Sequence, residues 1–237
     1  MVSALEPVMA IVPPMMNLIR KANGKGKAIS AGYPDLLLSP AVANQCIGNA
    51  IVPYRPDSKE IMARHSVKLD GIYDSHAFFK AMGYDLEVMD FREVRGGEII
   101  VDLNYPVPCV EGRYGSQYDL VIDPGTCEHC FHIGTAIVNL SRMVKPGGHI
   151  VQGFPLNAYN HGFYSVSPTL VRDFYEDNGF EIVECFGLVN SSYYRFEVSF
   201  TKRFHSIPEN SFMLILAKRL EEKELTIPVQ HKYRVMM

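Results

Sequence analysis

The chain has 237 residues, a formal net charge of −3 and a pI of about 6.2, with 47% hydrophobic and 21% charged residues. This balance is typical of a globular protein and excludes a disordered, collagen-like or coiled-coil chain. The chain also lacks the basic excess with which proteins bind phosphate backbones or anionic lipid, so neither nucleic acid nor a membrane is expected as a partner. The length suits one large α/β domain, and we treat residues 1–237 as a single domain.

The most apolar N-terminal stretch, residues 8–19, contains two consecutive prolines and is followed, not preceded, by Arg20 and Lys21. It therefore differs from a signal peptide, and it is too short to span a membrane. The 5 cysteines are an odd number, which indicates reduced thiols and not a disulfide framework. We predict a cytoplasmic protein.

Short apolar, β-rich runs alternate with stretches of helical periodicity from residue 27 onward. Strands are predicted at 27–31, 86–90, 98–102, 118–123, 149–152, 180–185 and 212–217, and helices at 75–82, 133–143 and 168–178. A lysine-proline-glycine-glycine run after residue 144 is a helix stop signal. The alternation predicts an α/β fold with a Rossmann-like, doubly wound, mostly parallel seven-stranded sheet. The last two strands are expected to be antiparallel, which gives an antiparallel edge strand.

Two segments interrupt this alternation. Residues 36–72 are too long for an ordinary strand-to-helix connection, and we interpret them as an insertion or lid of the kind that covers a site. Residues 220–237 form a C-terminal tail that begins with a charge run, which is typical of a solvated surface. The 11 methionines and the apolar N-terminal segment either fill the core or form the surface of a homodimer.

Ligands of an open parallel sheet bind at the carboxyl ends of its strands, so the residues at those ends are the candidate site residues. The candidates in chain order are Gly32 and Asp35 after the first strand, Asp90 at the end of the second, Asp102 and Leu103 at the end of the third, and Asp123 at the end of the fourth. A glycine lets the backbone approach a ligand, and a carboxylate at the second strand can accept hydrogen bonds from both hydroxyls of a ribose. These residues favour a nucleotide-like cofactor. Because a full G-x-G-x-x-G is absent, the spacing does not choose between cofactors.

Residues 127–132, CEHCFH, are the densest cluster of reactive side chains. A C-x-x-C with two histidines suggests zinc, but no second pair completes four ligands, and free cysteines also pack as small apolar residues. We therefore predict no metal site, although Asp123, Glu128 and His129 are able to meet one hard cation together with water.

Two histidines are candidates for a general base. His129 follows the fourth strand on the ligand side of the sheet, where a neutral imidazole either takes a proton from a substrate hydroxyl or bonds to the start of a helix. His161 follows the fifth strand on the same side. Glu128, next to His129, is placed to orient an imidazole.

Four segments resemble motifs of the Rossmann-like S-adenosylmethionine-dependent methyltransferases. Residues 118–129, YDLVIDPGTCEH, resemble the fourth-strand motif of this family, F-D-L-V followed by a short loop and L-E-H. Residues 140–150, LSRMVKPGGHI, look like the entry to its fifth strand. Residues 161–168 and 174–181 are similar to the H-G-F-Y-x-F-S-P and E-x-x-G-F segments of a bacterial subgroup associated with sugar and surface-polysaccharide clusters. The resemblance covers residues 27–220.

The resemblance implies S-adenosylmethionine as the cofactor. By this resemblance, Gly32 and Asp35 would contact the methionine part of the cofactor, and Asp90 would bind the ribose hydroxyls. Asp102 and Leu103 would lie beside the adenine. Asp123 and Thr126 would border the methionine and the transferred methyl. The implied function is methyl transfer to a small-molecule acceptor, an oxygen of a sugar or other metabolite. In that reaction His129 or His161 would be the base, and Glu128 its orienting partner.

Two alternatives remain open. Pro34 lies in the first-strand loop, which is glycine-rich in most members of the family. Pro124 occupies a position where a small or polar residue is more usual. This departure favours a methyltransferase-like protein that has lost turnover and serves as a binding or scaffold subunit. A nicotinamide-dependent oxidoreductase on a similar sheet is disfavoured, because the second and third glycines of its fingerprint are absent.

Overall fold

The structure is a computed structural model that describes residues 10–108, 115–190, 192–203 and 206–234. The strands in these ranges are β1 Ala10–Ile11, β2 Gly26–Ala31, β3 Asp35–Leu36, β4 Tyr84–Asp90, β5 Ile99–Ile100, β6 Tyr118–Asp123, β7 Val144–Asn157, β8 Phe180–Val189, β9 Tyr194–Phe196 and β10 Ser211–Arg219. The α-helices are α1 Pro13–Ala22, α2 Pro40–Ile47, α3 Ser58–Arg64, α4 Ser75–Ala81, α5 Ile133–Met143, α6 Pro168–Asp177 and α7 His231–Arg234. A 3-10 turn, Cys127–His129, follows β6.

Eight strands form one sheet in the order β5-β4-β2-β6-β7-β10-β8-β9, and β1 and β3 form a separate parallel pair. Neighbours from β5 to β7 are parallel, which reproduces the 3-2-1-4-5 order of a doubly wound sheet. The predicted mostly parallel α/β sheet is confirmed, as is the antiparallel pairing of β8 with β10. The sheet has eight strands instead of seven, since the short strand β9 adds an antiparallel edge beside β8.

The antiparallel strand β10 lies inside the sheet, between β7 and β8. Its side chains explain this position, because they are apolar on both faces. Leu214 and Leu216 pack in one core cluster, and Met213 and Ile215 pack in the other. A strand covered on both faces belongs in the middle of a sheet, and an edge strand usually carries protective polar residues.

The two core clusters lie on opposite faces of the sheet. Leu120 and Ile122 of β6 pack with α1 and α4, and Val121 between them packs with α5 and α6. This alternation follows from the two-residue period of a strand. Helix α5 supplies its apolar residues at the spacings of three and four that the sequence predicted, and its bounds match the prediction.

Strand β7 is much longer than the four residues predicted for it. The lysine-proline-glycine-glycine run lies within β7, after the end of α5, where the register against β6 shifts between Tyr118 and Leu120. Gly147 has φ +80°, and a Cβ at Gly148 would lie 2.8 Å from the Tyr118 carbonyl oxygen. The glycines therefore allow a bulge that lets the strand continue past the stop signal.

The insertion at 36–72 contains α2 and α3, and the tail returns to the body of the protein. Of the charge run Arg219, Glu221, Glu222, Lys223 and Glu224, which was predicted to be solvated, the last four are exposed. Arg219 is instead 1% exposed and donates to the Val144 carbonyl at 2.6 Å. Beyond it, Thr226 exchanges hydrogen bonds with Asn178, and Arg234 pairs with Asp177 at the end of α6. The longest helix of the described ranges, α5, has 11 residues, and none of their helices has the length and apolar character of a membrane span.

Candidate functional site

The carboxyl ends of β2, β4, β5 and β6 open into a cavity of about 640 Å³, here called the strand-end cavity. It lies where the strand order reverses between β2 and β6, which is the usual ligand position in such sheets. Seven of the predicted site residues line it: Gly32, Asp35, Asp90, Asp102, Leu103, Thr126 and His129. The other three, Asp123, Glu128 and His161, lie elsewhere.

The floor of the strand-end cavity is formed by the loops after β2 and β6, which are bonded to one another. Gly32 has φ +82°, and its N–H donates to the Met89 carbonyl at 2.6 Å. The Thr126 hydroxyl donates to the Ala31 carbonyl at 2.6 Å. These bonds hold the backbone of the β2 loop against the cavity, at the position where glycine is needed for its left-handed φ.

Asp35 lines the cavity, but its carboxylate is already paired. It is 1% exposed and accepts hydrogen bonds from Arg95 Nη2 at 3.0 and 3.3 Å. The Nε2 atom of His65, which is also buried, lies 3.2 Å from the same carboxylate. A buried charge requires such partners. Asp35 therefore joins β3, the β4–β5 loop and the end of α3 into one wall of the cavity.

Asp90 and Asp102 also line the strand-end cavity. Asp90 is partly buried, and its Oδ1 accepts from the Arg92 N–H at 3.3 Å. Burial raises the pKa of Asp90, with the Arg92 N–H opposing this shift. Asp102 Oδ1 accepts both the N–H and the side-chain amide of Asn104 at 2.9 Å. Leu103, 5% exposed, follows as an apolar surface.

Asp123 is buried behind the β6 loop and does not line the cavity. Its Oδ1 accepts the N–H groups of Gly125 and Thr126 at 3.2 and 2.7 Å, and its Oδ2 accepts Gln152 Nε2 at 2.9 Å. Gln152 in turn accepts the Tyr175 hydroxyl. Every described contact of Asp123 thus serves to shape the loop, so in this structure it supports the site from below.

Glu128 and His161 line another cavity, of about 480 Å³, which we call the second cavity. The Glu128 carboxylate is fully buried and lies 3.4 Å from His161 Nε2. Burial raises the pKa of Glu128, and His161 opposes that shift. The His161 ring also packs edge-to-face on Phe212.

His129 stands between the two cavities. It is adjacent to Glu128 in the 3-10 turn but lines the strand-end cavity, and its ring centroid lies 5.1 Å from that of His161. The structure therefore brings together the three residues predicted as catalytic, Glu128, His129 and His161. Consecutive side chains of one short turn serve two cavities.

Glycine at two positions makes room for Glu128. A Cβ at Gly162 would lie 2.9 Å from both Glu128 Cγ and its carbonyl oxygen, and a Cβ at Gly125 would lie 3.0 Å from Glu128 Oε1. The Phe163 N–H donates to the Glu128 carbonyl at 2.9 Å. The histidine-glycine-phenylalanine run thus folds directly onto the glutamate.

The C-x-x-C motif is built into the core. Cys127 and Cys130 both belong to the core cluster that packs on α5. Burial raises the pKa of the Cys130 thiol to about 12 and that of Cys127 well above its ordinary value. The His, Cys, Asp and Glu side chains that the described ranges place within reach of one ion are Glu128, His129 and His161, without either cysteine. Cys109 lies outside the described residues.

Sequence analysis missed the cationic side of the strand-end cavity. Arg64, Arg92 and Arg95 line it, and the buried His65 braces Asp35. No motif marks these residues. The available signal was the position of Arg92 and Arg95 in the loop between two strand ends, where a side chain faces the ligand edge of the sheet.

The sequence matches no protein-family model and no curated protein. One similar solved structure is the Burkholderia thailandensis 1,6-didemethyltoxoflavin-N1-methyltransferase with bound 1,6-didemethyltoxoflavin and S-adenosylhomocysteine. It is 12% identical in sequence, the match covers 92% of this chain and 79% of that one, and the TM-score is 0.49. The N-methyltransferase NodS from Bradyrhizobium japonicum is 14% identical over 88% of this chain and 86% of that one, with a TM-score of 0.47. TehB from Haemophilus influenzae is 12% identical over 88% of this chain and 62% of that one, also with a TM-score of 0.47. Likeness at this level does not identify a substrate.

Proposed function

We propose that the chain transfers a methyl group from S-adenosylmethionine to an oxygen of a small-molecule acceptor, a sugar or other metabolite. The observation that carries this proposal is the set of groups that meet in the strand-end cavity at the reversal of strand order. Asp90 offers a carboxylate to the ribose hydroxyls, Leu103 an apolar surface to adenine, and Gly32 an open backbone to the methionine part. A cavity of about 640 Å³ also lies within the usual range for small-molecule sites.

Arginines provide a partner for the carboxylate of the methionine part. Pro34 removes a backbone donor from the β2 loop, where a glycine-rich loop would present several. Arg64 and Arg95 line the same cavity, and Arg95 also donates to the buried Asp35. A guanidinium binds a carboxylate strongly through paired N–H donors. In this proposal the arginines replace the glycine-rich loop.

When bound, the cofactor supplies an electrophilic methyl group on a sulfonium. The chain has to align the acceptor oxygen with that methyl, exclude water and accept the hydroxyl proton. His129 lines the strand-end cavity and His161 lines the second cavity, with their ring centroids 5.1 Å apart, so each imidazole is placed to take the proton from an acceptor held in its own cavity. Glu128, at 3.4 Å from His161, orients that ring. Asp123 and Thr126 keep the β6 loop in place between the two cavities.

A thermal melt of the full chain with S-adenosylmethionine, S-adenosylhomocysteine or NAD tests the cofactor. A ligand at a hundred times its Kd stabilises a protein by about 2.7 kcal/mol, which raises the Tm of a chain of this size by roughly 5–10 °C. A rise with the two S-adenosyl compounds alone supports the proposal, and a rise with NAD alone supports an oxidoreductase. No rise with any of the three supports the scaffold alternative.

Methyl transfer itself is tested with sugar and small-alcohol acceptors. His129→Ala and His161→Ala are expected to keep the cofactor-induced rise in Tm, while at least one of them loses turnover. His132→Ala is the matched control, since His132 is a nearby exposed histidine that lines neither cavity. Wild-type turnover in both test variants would show that neither imidazole receives the proton.

A further inference from the structure

The carboxylate of Glu128 lacks the partners that a buried charge requires. The residue is fully buried, and neither carboxylate oxygen has a hydrogen-bond partner within the described ranges. His161 Nε2 lies 3.4 Å from Glu128 Oε1. An ionised carboxylate in such surroundings is costly unless a cation compensates it. The glycines at 125 and 162 nevertheless keep space for this side chain, so the fold preserves its position.

Glu128, His129 and His161 also have the geometry of a ligand set. One ligand atom from each lies within 4.8 Å of the others. Tetrahedral ligands about 2.1 Å from a cation are about 3.4 Å apart. The Glu128–His161 separation of 3.4 Å already matches this edge. His129 is exposed, and its ring centroid lies 5.1 Å from that of His161.

We infer that Glu128, His129 and His161 bind one divalent transition-metal cation. Two imidazoles and one carboxylate suit Zn²⁺, Mn²⁺ or Fe²⁺, and they do not suit Mg²⁺ or Ca²⁺, which prefer oxygen ligands alone. Asp123 is not a ligand, because its two oxygens are occupied by Gly125, Thr126 and Gln152. The buried thiols of Cys127 and Cys130 lie outside the set.

Glu128 and His161 line the second cavity and His129 lines the strand-end cavity, so a cation held by all three would be reached from these cavities. An acceptor hydroxyl bound to it would be acidified by the cation, in the way a metal ion lowers the pKa of bound water. In the metal-bound protein the imidazoles would serve as ligands in place of the base, and the O–H bond would break with the proton going to water. The oxygen then forms the bond to the methyl carbon as the S–CH₃ bond breaks, and that electron pair stays on sulfur. The metal keeps its oxidation state throughout. This role rests on the proposed function, whereas cation binding does not.

Titration calorimetry on the full chain, first stripped with EDTA, tests the site with Zn²⁺, Mn²⁺ and Mg²⁺. We expect one Zn²⁺ or Mn²⁺ per chain and at least tenfold weaker Mg²⁺. Removing a residue that only supports a ligand costs about 10–100-fold in affinity, so Glu128→Gln and His161→Ala are each expected to lose about 100-fold or more. His132→Ala is the control and keeps wild-type affinity. Equal affinity in wild type and both variants would overturn the inference, as would Mg²⁺ binding as tightly as Zn²⁺.

Two further measurements separate the outcomes. Far-UV circular dichroism checks that each variant is folded, and His161→Ala serves if Glu128→Gln is not. The absorption spectrum of the Co²⁺-loaded chain is expected to show nitrogen and oxygen ligation, and a thiolate charge-transfer band would overturn the ligand set. If the cation fails to bind while S-adenosylmethionine raises the Tm, only this inference fails. If the cation binds and neither S-adenosyl compound raises the Tm, the proposed function fails and the site stands.

Discussion

Replacing Asp90 with alanine tests the cofactor orientation most directly. The carboxylate closes β4 at the edge of the strand-end cavity, and it accepts hydrogen bonds from the backbone N–H groups of Arg92, at 3.3 Å, and of Phe91. Because both bonds come from the two residues that follow Asp90 in an exposed loop, we expect the variant to fold with near wild-type stability. What it removes is the proposed acceptor for the two ribose hydroxyls.

The size of the effect follows from those two hydrogen bonds. A hydrogen bond to a charged group contributes about 1.5–3 kcal/mol, so the pair contributes about 3–6 kcal/mol. At about 1.4 kcal/mol per factor of ten, the Kd for S-adenosylmethionine rises by roughly 100- to 10,000-fold. The burial that raises the pKa of Asp90 also shields these bonds from water, which favours the upper part of the range.

The assay is a thermal melt at a cofactor concentration of a hundred times the wild-type Kd. Wild type gains about 2.7 kcal/mol, and a variant with 100-fold weaker binding gains only about 0.4 kcal/mol. The rise in Tm therefore falls from roughly 5–10 °C to about 1 °C. Asp85→Ala is the matched control, an exposed aspartate near the other end of the same strand. A full rise in the Asp90 variant would refute the placement of the ribose at this carboxylate.

Two further predictions concern stability. Gly162→Ala places a Cβ 2.9 Å from Glu128 and is expected to lower the free energy of unfolding in urea by about 1–3 kcal/mol. Gly134→Ala in α5, with no atom within 4 Å of the added Cβ, is expected to be neutral or stabilising; equal losses in both would contradict the fit around Glu128. The second concerns Asp177, whose pKa is lowered below its ordinary 3.8 chiefly by hydrogen bonds from Arg234. This pair contributes stability above the ordinary pKa and loses it as the pH falls through the lowered one. Unfolding free energies at neutral and acid pH should therefore differ more in wild type than in Asp177→Asn, and an equal difference would show that the pair does not stabilise the fold.

Local patterns in the sequence were sufficient to predict most strands of the large sheet. Strand β6 and helix α5 begin and end where hydrophobic periodicity predicts them. Periodicity was insufficient where tertiary contacts extend an element. Helix α5 ends at Met143, before the run that was predicted to stop it, but β7 begins at Val144 and not at 149, because pairing with β6 carries it through the run as a bulge. The place of β10 inside the sheet depends on pairing between strands distant in sequence, which local patterns do not contain.

The candidate site was predictable as an edge of the sheet and less so as a set of contacts. The strand-end rule brought Asp90, Asp102 and Leu103 to one cavity. The same rule did not distinguish them from Asp123, which has the same strand-end position but turns beneath its loop to bond with Gln152. Which way a strand-end side chain points is decided by the partners available to it, and these come from β7 and α6.

The two cavities differ in the parts of the chain that build them. The strand-end cavity is formed chiefly by the ends of consecutive parallel strands, whereas the second cavity takes its wall from β1, the end of α3, and the β8 and β10 region. Segments such as these can change in length or sequence without altering the parallel frame. Exchange of the loop before β10 is therefore expected to alter the proposed acceptor side and to leave the groups at Gly32 and Asp90 untouched, whereas exchange of residues 65–67 would also remove the contact of His65 with Asp35 in the wall of the strand-end cavity. The residues that line the two cavities thus come from different parts of the chain, and His129, which lines the strand-end cavity, lies beside His161 of the second cavity.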